Sequence, residues 1–249
     1  MNQIKNIEDK VSKRKQQIKK MKESFTEMVT FQPLPVSKIV GNVPEETKLI
    51  ILVDIVGFSK FTSRQQLYAV YLLQHYILKK LVKNTLNFEK KLRVTNFIPT
   101  GDGCYIIADN CKPEVALHFL VSLTGGFQYV KIEDCQNNGL RVAATFGNCI
   151  PFFDLARKKN FVGEGMNEAS RILSGGQKYM EEIFIKEHPQ AKEADIKVFS
   201  KNSLFLAKSL CEKQLLEDYQ ECYEKLYELD EVTDKHGKKR DVWCLQHIL

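Results

Sequence analysis

Residues 48–55 carry the clearest apolar pattern of the chain, an unbroken run from Leu49 to Val53 that ends at Asp54. A run of this length that is rich in β-branched residues is typical of a buried strand. From residue 64 to residue 88 the apolar positions recur every three to four residues, which predicts a helix. The main body of the chain is therefore expected to begin with a strand and a long helix.

The next apolar segments predict a strand pair and then further strands and helices. Strands are predicted at residues 92–98 and 103–108, on either side of the turn Gly101-Asp102-Gly103. The remaining elements are predicted as a helix at 113–133, a strand at 139–147, a short helix from near Gly165, a strand at 182–186, a helix at 201–216, and strands at 223–232 and 241–247. Mixed strands and helices in this order predict an α+β fold with the helices on one side of the sheet.

The first 30 residues have a heptad pattern. One heptad position holds only apolar residues, namely Ile4, Val11, Ile18 and Phe25. This spacing predicts an apolar seam along one helix, which suits either a short coiled coil or a helix docked on the body. Prolines 33 and 35 end the helix. We expect a helical arm at 1–30, a linker at 31–47 and the main domain at 48–249.

Composition narrows the class of protein. Hydrophobic residues make up 43% of the 249 residues, which is enough for one core. No apolar run approaches the ~20 residues that span a membrane, and no signal peptide is recognisable. Seven scattered cysteines are typical of a reduced cytoplasmic protein and give no zinc pattern. Residues 1–30 hold eight basic and four acidic residues, which indicates a solvated helix face rather than a nucleic-acid site.

Two aspartates, one at the end of a predicted strand and one in a predicted turn, can meet if the two strands are neighbours. Asp54 closes the buried run, and Asp102 lies in a tight Gly-Asp-Gly turn. Two carboxylates that meet in this way suit Mg²⁺ or Mn²⁺, because these cations take oxygen ligands and leave positions open for substrate phosphates. Each aspartate alone is also explained by a strand-end cap or an Asx turn.

Later segments add groups that suit a nucleotide. Asn167 and Arg171 are four residues apart and would share one face of a helix. Arginine presents a fixed fork of donors that matches phosphate oxygens. The basic loop at 235–240 could add charge stabilisation. An ordinary surface pair and a solvated turn are the alternative interpretations.

Together, in this order, the motifs resemble class III nucleotidyl cyclases over residues 46–247. Asp54-Ile55-Val56-Gly57-Phe58-Ser59 resembles the first metal motif, and Gly101-Asp102-Gly103 resembles the second. Phe161-Val162-Gly163 with Asn167 and Arg171 resembles the segment with the ribose-orienting asparagine and the transition-state arginine. The resemblance implies the cyclase fold, a ferredoxin-like mixed sheet with helices packed on it.

The resemblance also implies a two-metal mechanism. Two Mg²⁺ or Mn²⁺ ions would be held by Asp54, Asp102 and the Ile55 carbonyl, while the substrate 3′-hydroxyl attacks the α-phosphorus and pyrophosphate leaves. Arg171 would neutralise charge on the α-phosphate, and Asn167 would orient the ribose.

In the terminal hairpin the family's catalytic lysine precedes a glycine, which points to Lys235, with Lys238 as the alternative. Lys235 would bind the triphosphate, to which Arg157 could add a weaker contact. Because the family's two sets of site residues face each other across a dimer and this chain has both, the resemblance implies a symmetric homodimer with two active sites.

The base-reading positions differ from those of purine cyclases. Ile98 stands where these enzymes carry Lys or Glu, and Asn160 stands where they carry Asp or Cys. Isoleucine cannot hydrogen-bond a purine edge, whereas asparagine offers a donor and an acceptor that could read uracil or cytosine.

The chain is similar in layout to the bacterial pyrimidine cyclases of Pycsar anti-phage systems. That similarity implies cyclic UMP, or cyclic CMP, made from UTP or CTP as a second messenger for an effector protein. UTP is favoured because uridylate enzymes are the larger group there. The alternatives are an adenylyl cyclase with other base-reading residues and a non-catalytic cyclase-like module that binds a nucleotide. A basic scaffold whose arm binds nucleic acid is the least favoured interpretation.

Overall fold

The structure, a computed structural model, describes Gln16 and residues 43–86, 92–127, 139–155, 157–192, 201–233 and 237–247. The predicted arm at 1–30, apart from Gln16, and the linker up to residue 42 lie outside the described residues. The chain divides into two units, Met1–Val43 and Pro44–Leu249, and the second holds the elements given below. Among the described helices, none has the length and apolar character needed to cross a membrane.

The first six elements form a ferredoxin-like βαββαβ unit. They are β1 (Glu46–Ile55), α1 (Ser63–Leu86), β2 (Val94–Pro99), β3 (Gly103–Asp109), α2 (Pro113–Phe127) and β4 (Leu140–Phe153). The strands lie in the order β2-β3-β1-β4, and each neighbouring pair is antiparallel. This is the split βαβ arrangement that the cyclase resemblance predicted.

The second half of the chain widens the same sheet. Its elements are β5 (Lys159–Val162), α3 (Glu164–Glu187), β6 (Ser203–Ala207), α4 (Lys213–Glu217), β7 (Lys225–Thr233) and β8 (Lys239–Gln246). The sheet continues from β4 as β6-β8-β7, with β6 parallel to β4. Strand β5 pairs only with the outer part of β4, so the two form a hairpin arm.

Helices cover both faces of the sheet, so the prediction that they lie on one side was wrong. Ile51 and Val53 of β1 pack in the cluster that contains residues of α1 and α2. Ile50 and Leu52 pack in the cluster that contains Ala169 of α3. Successive strand residues point to opposite faces, so an unbroken apolar run already requires two covered faces.

Helix α3 corrects two predictions. It is 24 residues long rather than short, and it contains the segment 182–186 that was predicted as a strand. Ile183 packs on the core while Ile185 is half exposed, as expected for one side of a helix. The helix ends at Glu187, just before Pro189, where the residue preceding a proline disfavours helical backbone.

The predicted helix at 201–216 is also wrong. Residues Ser203–Ala207 form β6, and only Lys213–Glu217 is helical. All five residues of β6 are buried, because it lies between β4 and β8. Its sequence is only five residues long and contains no β-branched residue, unlike β1, so the pattern does not distinguish a buried strand from part of a buried helix. The short strand β5 was not predicted, and residues 128–133 of the second predicted helix lie outside the described residues.

Candidate active site

Asp54 and Asp102 meet at one end of β1. Asp54 is paired with Gly103 of β3, and the Ile55 amide donates a hydrogen bond of 2.9 Å to the Asp102 carbonyl oxygen. A Cβ on Gly103 would lie 1.9 Å from the Val53 carbonyl oxygen, so only glycine allows β3 to approach this closely. The glycine that follows Asp102 thus fixes the turn against β1.

Opposing effects act on the Asp54 carboxylate. Burial raises its pKa, Arg141 lowers it, and the charge and hydrogen bond of Asp102 raise it again. Arg141 of β4 donates from Nε to Oδ2 of Asp54 at 2.9 Å and also forms an ion pair through a terminal nitrogen. The Thr100 hydroxyl donates to Oδ1 of Asp102 at 3.4 Å. Two crowded carboxylates and one arginine therefore form a site in which a further cation would be stabilised.

This donor set fits divalent metal ions that are shared with substrate. Within the described ranges, no three or more His, Cys, Asp and Glu side chains are grouped so that they could hold a metal. Mg²⁺ is commonly bound through one or two carboxylates, with phosphates and water completing its shell. The pair Asp54 and Asp102, with the Ile55 carbonyl at the end of the same strand, suits that mode of binding.

Arg141 was missed by the sequence analysis. It pairs directly with Asp54 across β1 and β4, and its side chain is 16% exposed. The available signal was a charged residue inside the apolar strand predicted at 139–147. An arginine within a half-buried strand requires an anionic partner nearby.

Glycines set the start of helix α3 close to β4. Gly163 has φ +152°, and a Cβ there would lie 2.6 Å from the Asn148 carbonyl oxygen. Gly165 packs on Gly147, where a Cβ on either residue would be within 3.0 Å of the other's backbone. This contact fixes the position of the first turns of α3, which carry Asn167.

Arg171 and its neighbours form a second polar group on α3. The Arg171 guanidinium donates to Glu164 at 2.5 Å, and this hydrogen bond lowers the pKa of the Glu164 carboxyl. Asn167 is exposed in the same turns of the helix. Arg240 of β8, which the sequence analysis also missed, pairs with Glu168 at 2.6 Å.

The terminal hairpin approaches this second group. The charges of Lys238 and Arg240 further lower the pKa of Glu164. Lys235, the preferred catalytic lysine, lies outside the described residues. Arg157 is exposed in the turn of the hairpin arm, with a left-handed φ of 57°.

The structure does not bring the two groups together within one chain. Asp54 lies in one row across the sheet with Arg141, Ser203 and Gln246. Arg240 lies six residues before Gln246 on β8, which is about 20 Å at ~3.3 Å per residue. The carboxylate pair and the group around Arg171 thus occupy different ends of the sheet.

The two predicted base-reading residues lie on β2 and β5, which are not paired strands but are joined by a side-chain hydrogen bond. Ile98 of β2 is half-buried and packs against the cluster that contains Phe161. The Asn160 side chain accepts a hydrogen bond from the Phe161 amide at 2.8 Å. Asn96 links β2 to β5 by donating to the Lys159 carbonyl at 2.6 Å. Ile98 offers only apolar surface here, whereas Asn160 offers an amide.

Comparison with known proteins gives similarity in structure rather than in sequence. No protein-family model and no curated protein matches the chain. The catalytic core of a rhodopsin-guanylyl cyclase with converted specificity, in complex with ATPαS, is 14% identical with a TM-score of 0.56, over 83% of this chain and 99% of that chain. The guanylate cyclase domain from Catenaria anguillulae, in complex with GTP, is also 14% identical with a TM-score of 0.56, over 83% and 100%.

A non-canonical dimeric guanylyl cyclase domain from Blastocladiella emersonii is 14% identical with a TM-score of 0.53, over 82% of this chain and 98% of that chain. At this identity the likeness concerns the fold. The chain has the fold of class III nucleotidyl cyclase domains, as its motifs predicted.

Proposed function

We propose that residues 48–249 form a nucleotide cyclase that converts UTP, or CTP, into the 3′,5′-cyclic nucleotide and pyrophosphate. The observation that carries this proposal is the convergence of Asp54 and Asp102 at the end of β1, inside a cyclase fold. A carboxylate pair of this kind is suited to divalent ions that also contact a triphosphate.

Each proposed role follows from the position of a side chain. Asp54 and Asp102, with the Ile55 carbonyl, would hold two Mg²⁺ or Mn²⁺ ions. Such ions lower the pKa of the 3′-hydroxyl and neutralise the triphosphate. Cations on these carboxylates would weaken the ion pair between Asp54 and Arg141, so that Arg141 would also be available to a phosphate beside them.

Arg171 and Asn167 would act on the α-phosphate and the ribose. Arg171 presents its guanidinium at the start of α3, where its partner Glu164 has a largely exposed side chain. A phosphate can replace an exposed carboxylate partner at small cost, because exposed ion pairs are weak. Lys235 or Lys238 of the terminal hairpin would add charge to the triphosphate, with a weaker contribution from Arg157.

We propose a homodimer in which each site takes its carboxylates from one chain and Arg171 from the other. The separation of these groups along β8, about 20 Å at ~3.3 Å per residue, supports a second copy. Two apolar surfaces support it as well. The tip of the hairpin arm exposes Phe153 and Leu155, and a groove of about 390 Å³ between α1 and the β2–β3 hairpin is lined by Ile77 and Phe97. A knob and a groove on one chain are the requirement for a self-complementary interface.

The pyrimidine assignment is supported by Ile98 and Asn160. A buried purine beside Ile98 would keep polar edge atoms unpaired, at about 1–3 kcal/mol each. The second candidate is a purine cyclase, favoured by similar folds that were solved with GTP and ATPαS. UTP is preferred over CTP by the resemblance to Pycsar cyclases, which also suggests an anti-phage messenger and an effector that senses it.

Product identification tests the proposal. The purified chain is incubated with each of the four ribonucleoside triphosphates and Mn²⁺, and products are identified by mass spectrometry. We expect a cyclic pyrimidine nucleotide that is absent with the Asp54→Ala variant. Cyclic AMP or cyclic GMP as the sole product would reject the pyrimidine assignment. Nucleotide binding without any cyclic product would instead identify a non-catalytic module.

A further inference from the structure

Helix α3 and the terminal hairpin of β7 and β8 share a group of charged residues. Glu164, Glu168 and Arg171 lie four and three residues apart, so they occupy one side of the helix. Arg240 of β8 pairs with Glu168. Lys238, just before β8, is close enough for its charge to act on Glu164. Two acids and three bases therefore meet where the hairpin lies on the helix.

The two glutamates have different surroundings although they are one turn apart. The side chain of Glu164 is 59% exposed and that of Glu168 is 24% exposed. Burial raises the pKa of the Glu168 carboxyl, whereas the hydrogen bond from Arg171 lowers the pKa of Glu164. An anion can replace Glu164 at small cost, but breaking the pair of Glu168 and Arg240 would leave a largely buried charge without its partner. The first pair can therefore open when an anion binds, whereas the second is expected to persist.

The persistent pair joins α3 to the start of β8. Nε of Arg240 lies 2.6 Å from a carboxylate oxygen of Glu168, and the arginine side chain is 15% exposed. Across the hairpin, Arg240 is in register with Val232 of β7. A Cβ on Gly175 of α3 would lie 2.6 Å from Cγ1 of Val232, so this valine packs directly on that turn of the helix. Contacts at Glu168 and Gly175, about two turns apart, fix both the position and the angle of the hairpin on α3.

The anchored part of the hairpin adjoins the loop between its strands. Lys238 is two residues before Arg240, so a shift of the hairpin on α3 would move this lysine relative to Arg171. Basic side chains that lie close together also repel one another unless acids lie between them. Glu168 therefore acts both as the anchor of the hairpin and as the counter-charge that lets the basic residues approach.

We propose that Glu168 and Arg240 are positioning residues that hold the terminal hairpin on α3, so that Lys238 and Arg171 act on the same phosphate chain. This inference rests on the proposed function for the identity of the ligand. Neither positioning residue needs to touch the nucleotide. Glu168 keeps its place when a phosphate replaces Glu164 beside Arg171, because its side chain is the more buried of the two.

Steady-state kinetics with Mn²⁺ and the triphosphate that the parent chain converts test the positioning role. In Glu168→Ala and in Arg240→Ala we expect kcat to fall ~10–100-fold, because displacing a catalytic group by about 1 Å can cost ~10²-fold. The double variant should lose no more than either single variant, since all three remove the same contact. It leaves no unpaired buried charge and should therefore fold. Glu182→Ala is the control, because Glu182 is exposed further along α3 and pairs with Lys178. Losses that add up in the double variant, or a kcat equal to that of the control, would overturn the proposal.

Hydrogen exchange read by mass spectrometry separates anchoring from overall stability and needs no turnover. In the double variant the amides of β7 and of the start of β8 should exchange at least ~10-fold faster than in the parent chain, while those of β1 and β3 keep their rates, because only local opening becomes easier. Unchanged exchange in the hairpin, or faster exchange across the whole sheet, would overturn the proposal. If the parent chain forms no cyclic nucleotide but hairpin exchange still depends on Glu168 and Arg240, the cyclase proposal fails and the anchoring of the hairpin stands.

Discussion

Two carboxylate–arginine pairs lie at different ends of this sheet, and the pKa of the acid is shifted in opposite directions in the two pairs. In the pair of Asp54 and Arg141 both side chains are about 15% exposed, and burial raises the pKa of the aspartate. In the pair of Glu164 and Arg171 the glutamate is 59% exposed, and the arginine lowers its pKa. The residue types are alike, so the surroundings decide the difference.

The difference indicates what each end of the sheet can bind. At the carboxylate end, the largely buried Asp54 and the exposed Asp102 lie close together, and Arg141 neutralises their negative charge only in part. At the α3 end, a half-buried arginine is held by a solvated acid that an anion can replace. One end is therefore suited to cations and the other to phosphate, and a nucleotide with its metal ions needs both.

Removing the buried acid should have the largest effect. We expect Asp54→Ala to reduce cyclase activity by on the order of 10³-fold, because the metal ions lose their main ligand. Chelation of divalent ions by EDTA should have a similar effect on the parent chain. Initial rates with Mn²⁺ and UTP measure both. Asp109→Ala, an ion-paired aspartate at the far end of β3, should stay within a few-fold of the parent rate. Comparable rates in Asp54→Ala and the parent would contradict the assigned role.

Removing the arginine at the other end should have the next largest effect. Arg171→Ala should lower kcat by about 10²–10³-fold with little change in substrate affinity, because the guanidinium acts mainly on charge that develops in the transition state. Steady-state kinetics separate kcat from KM. Lys178→Ala, an exposed position further along α3, is the control. A rise in KM with unchanged kcat would assign Arg171 to ground-state binding instead.

Replacing Gly103 at the carboxylate end should lower the free energy of unfolding more than replacing Gly101 in the same turn. Gly103→Ala would put a Cβ 1.9 Å from the Val53 carbonyl oxygen and push Asp102 away from Asp54. We expect a loss of about 3 kcal/mol in the free energy of unfolding. Gly101→Ala meets nothing within 4 Å and carries only the strain of φ +101°, so about 1–2 kcal/mol is expected. Urea unfolding compares the two, and equal losses would show that the close approach is relaxed in solution.

The smallest effect is the titration of the two acids. Asp54 should protonate above its ordinary pKa of 3.8, and Glu164 below its ordinary value of 4.5. The raised pKa of Asp54 means that its contribution to stability falls as the pH rises from 3.8 through the folded pKa. The lowered pKa of Glu164 means that its contribution is present above pH 4.5 and is lost as the pH falls through the folded pKa. Carbon-13 NMR of the side-chain carboxyls measures both pKa values. If the two pKa values moved in the same direction from their ordinary values, the contrast between the two pairs would be wrong.

Local sequence patterns predicted the elements that have a β-branched apolar run, a helical repeat or a glycine turn. The strand ending at Asp54, the long helix α1 and the Gly101-Asp102-Gly103 turn could be recognised because each has a local signal. Strand β6 has none, since its five residues include no β-branched residue that would distinguish a strand from a helix. The isoleucines at 183 and 185 suggested a strand inside α3.

The site was harder to predict than the elements. Asp54 and Asp102 could be paired from sequence because one ends a predicted strand, the other lies in a tight turn, and both segments resemble metal motifs of one family. Arg141 and Arg240 could not, because their importance depends on which elements become neighbours in the fold. Sequence spacing carries information along one element, whereas register across a sheet depends on the whole fold.

Mixing two inactive variants tests most directly whether each catalytic pocket is shared between two chains. Asp54→Ala and Arg171→Ala are combined in equal amounts under conditions that allow subunits to exchange, and cyclic nucleotide formation is measured. We predict recovery to about one quarter of the parent activity, because half of the dimers are mixed and each mixed dimer has one complete site. A mixture no more active than its separate components, although native mass spectrometry shows mixed dimers, would contradict a site built from both chains.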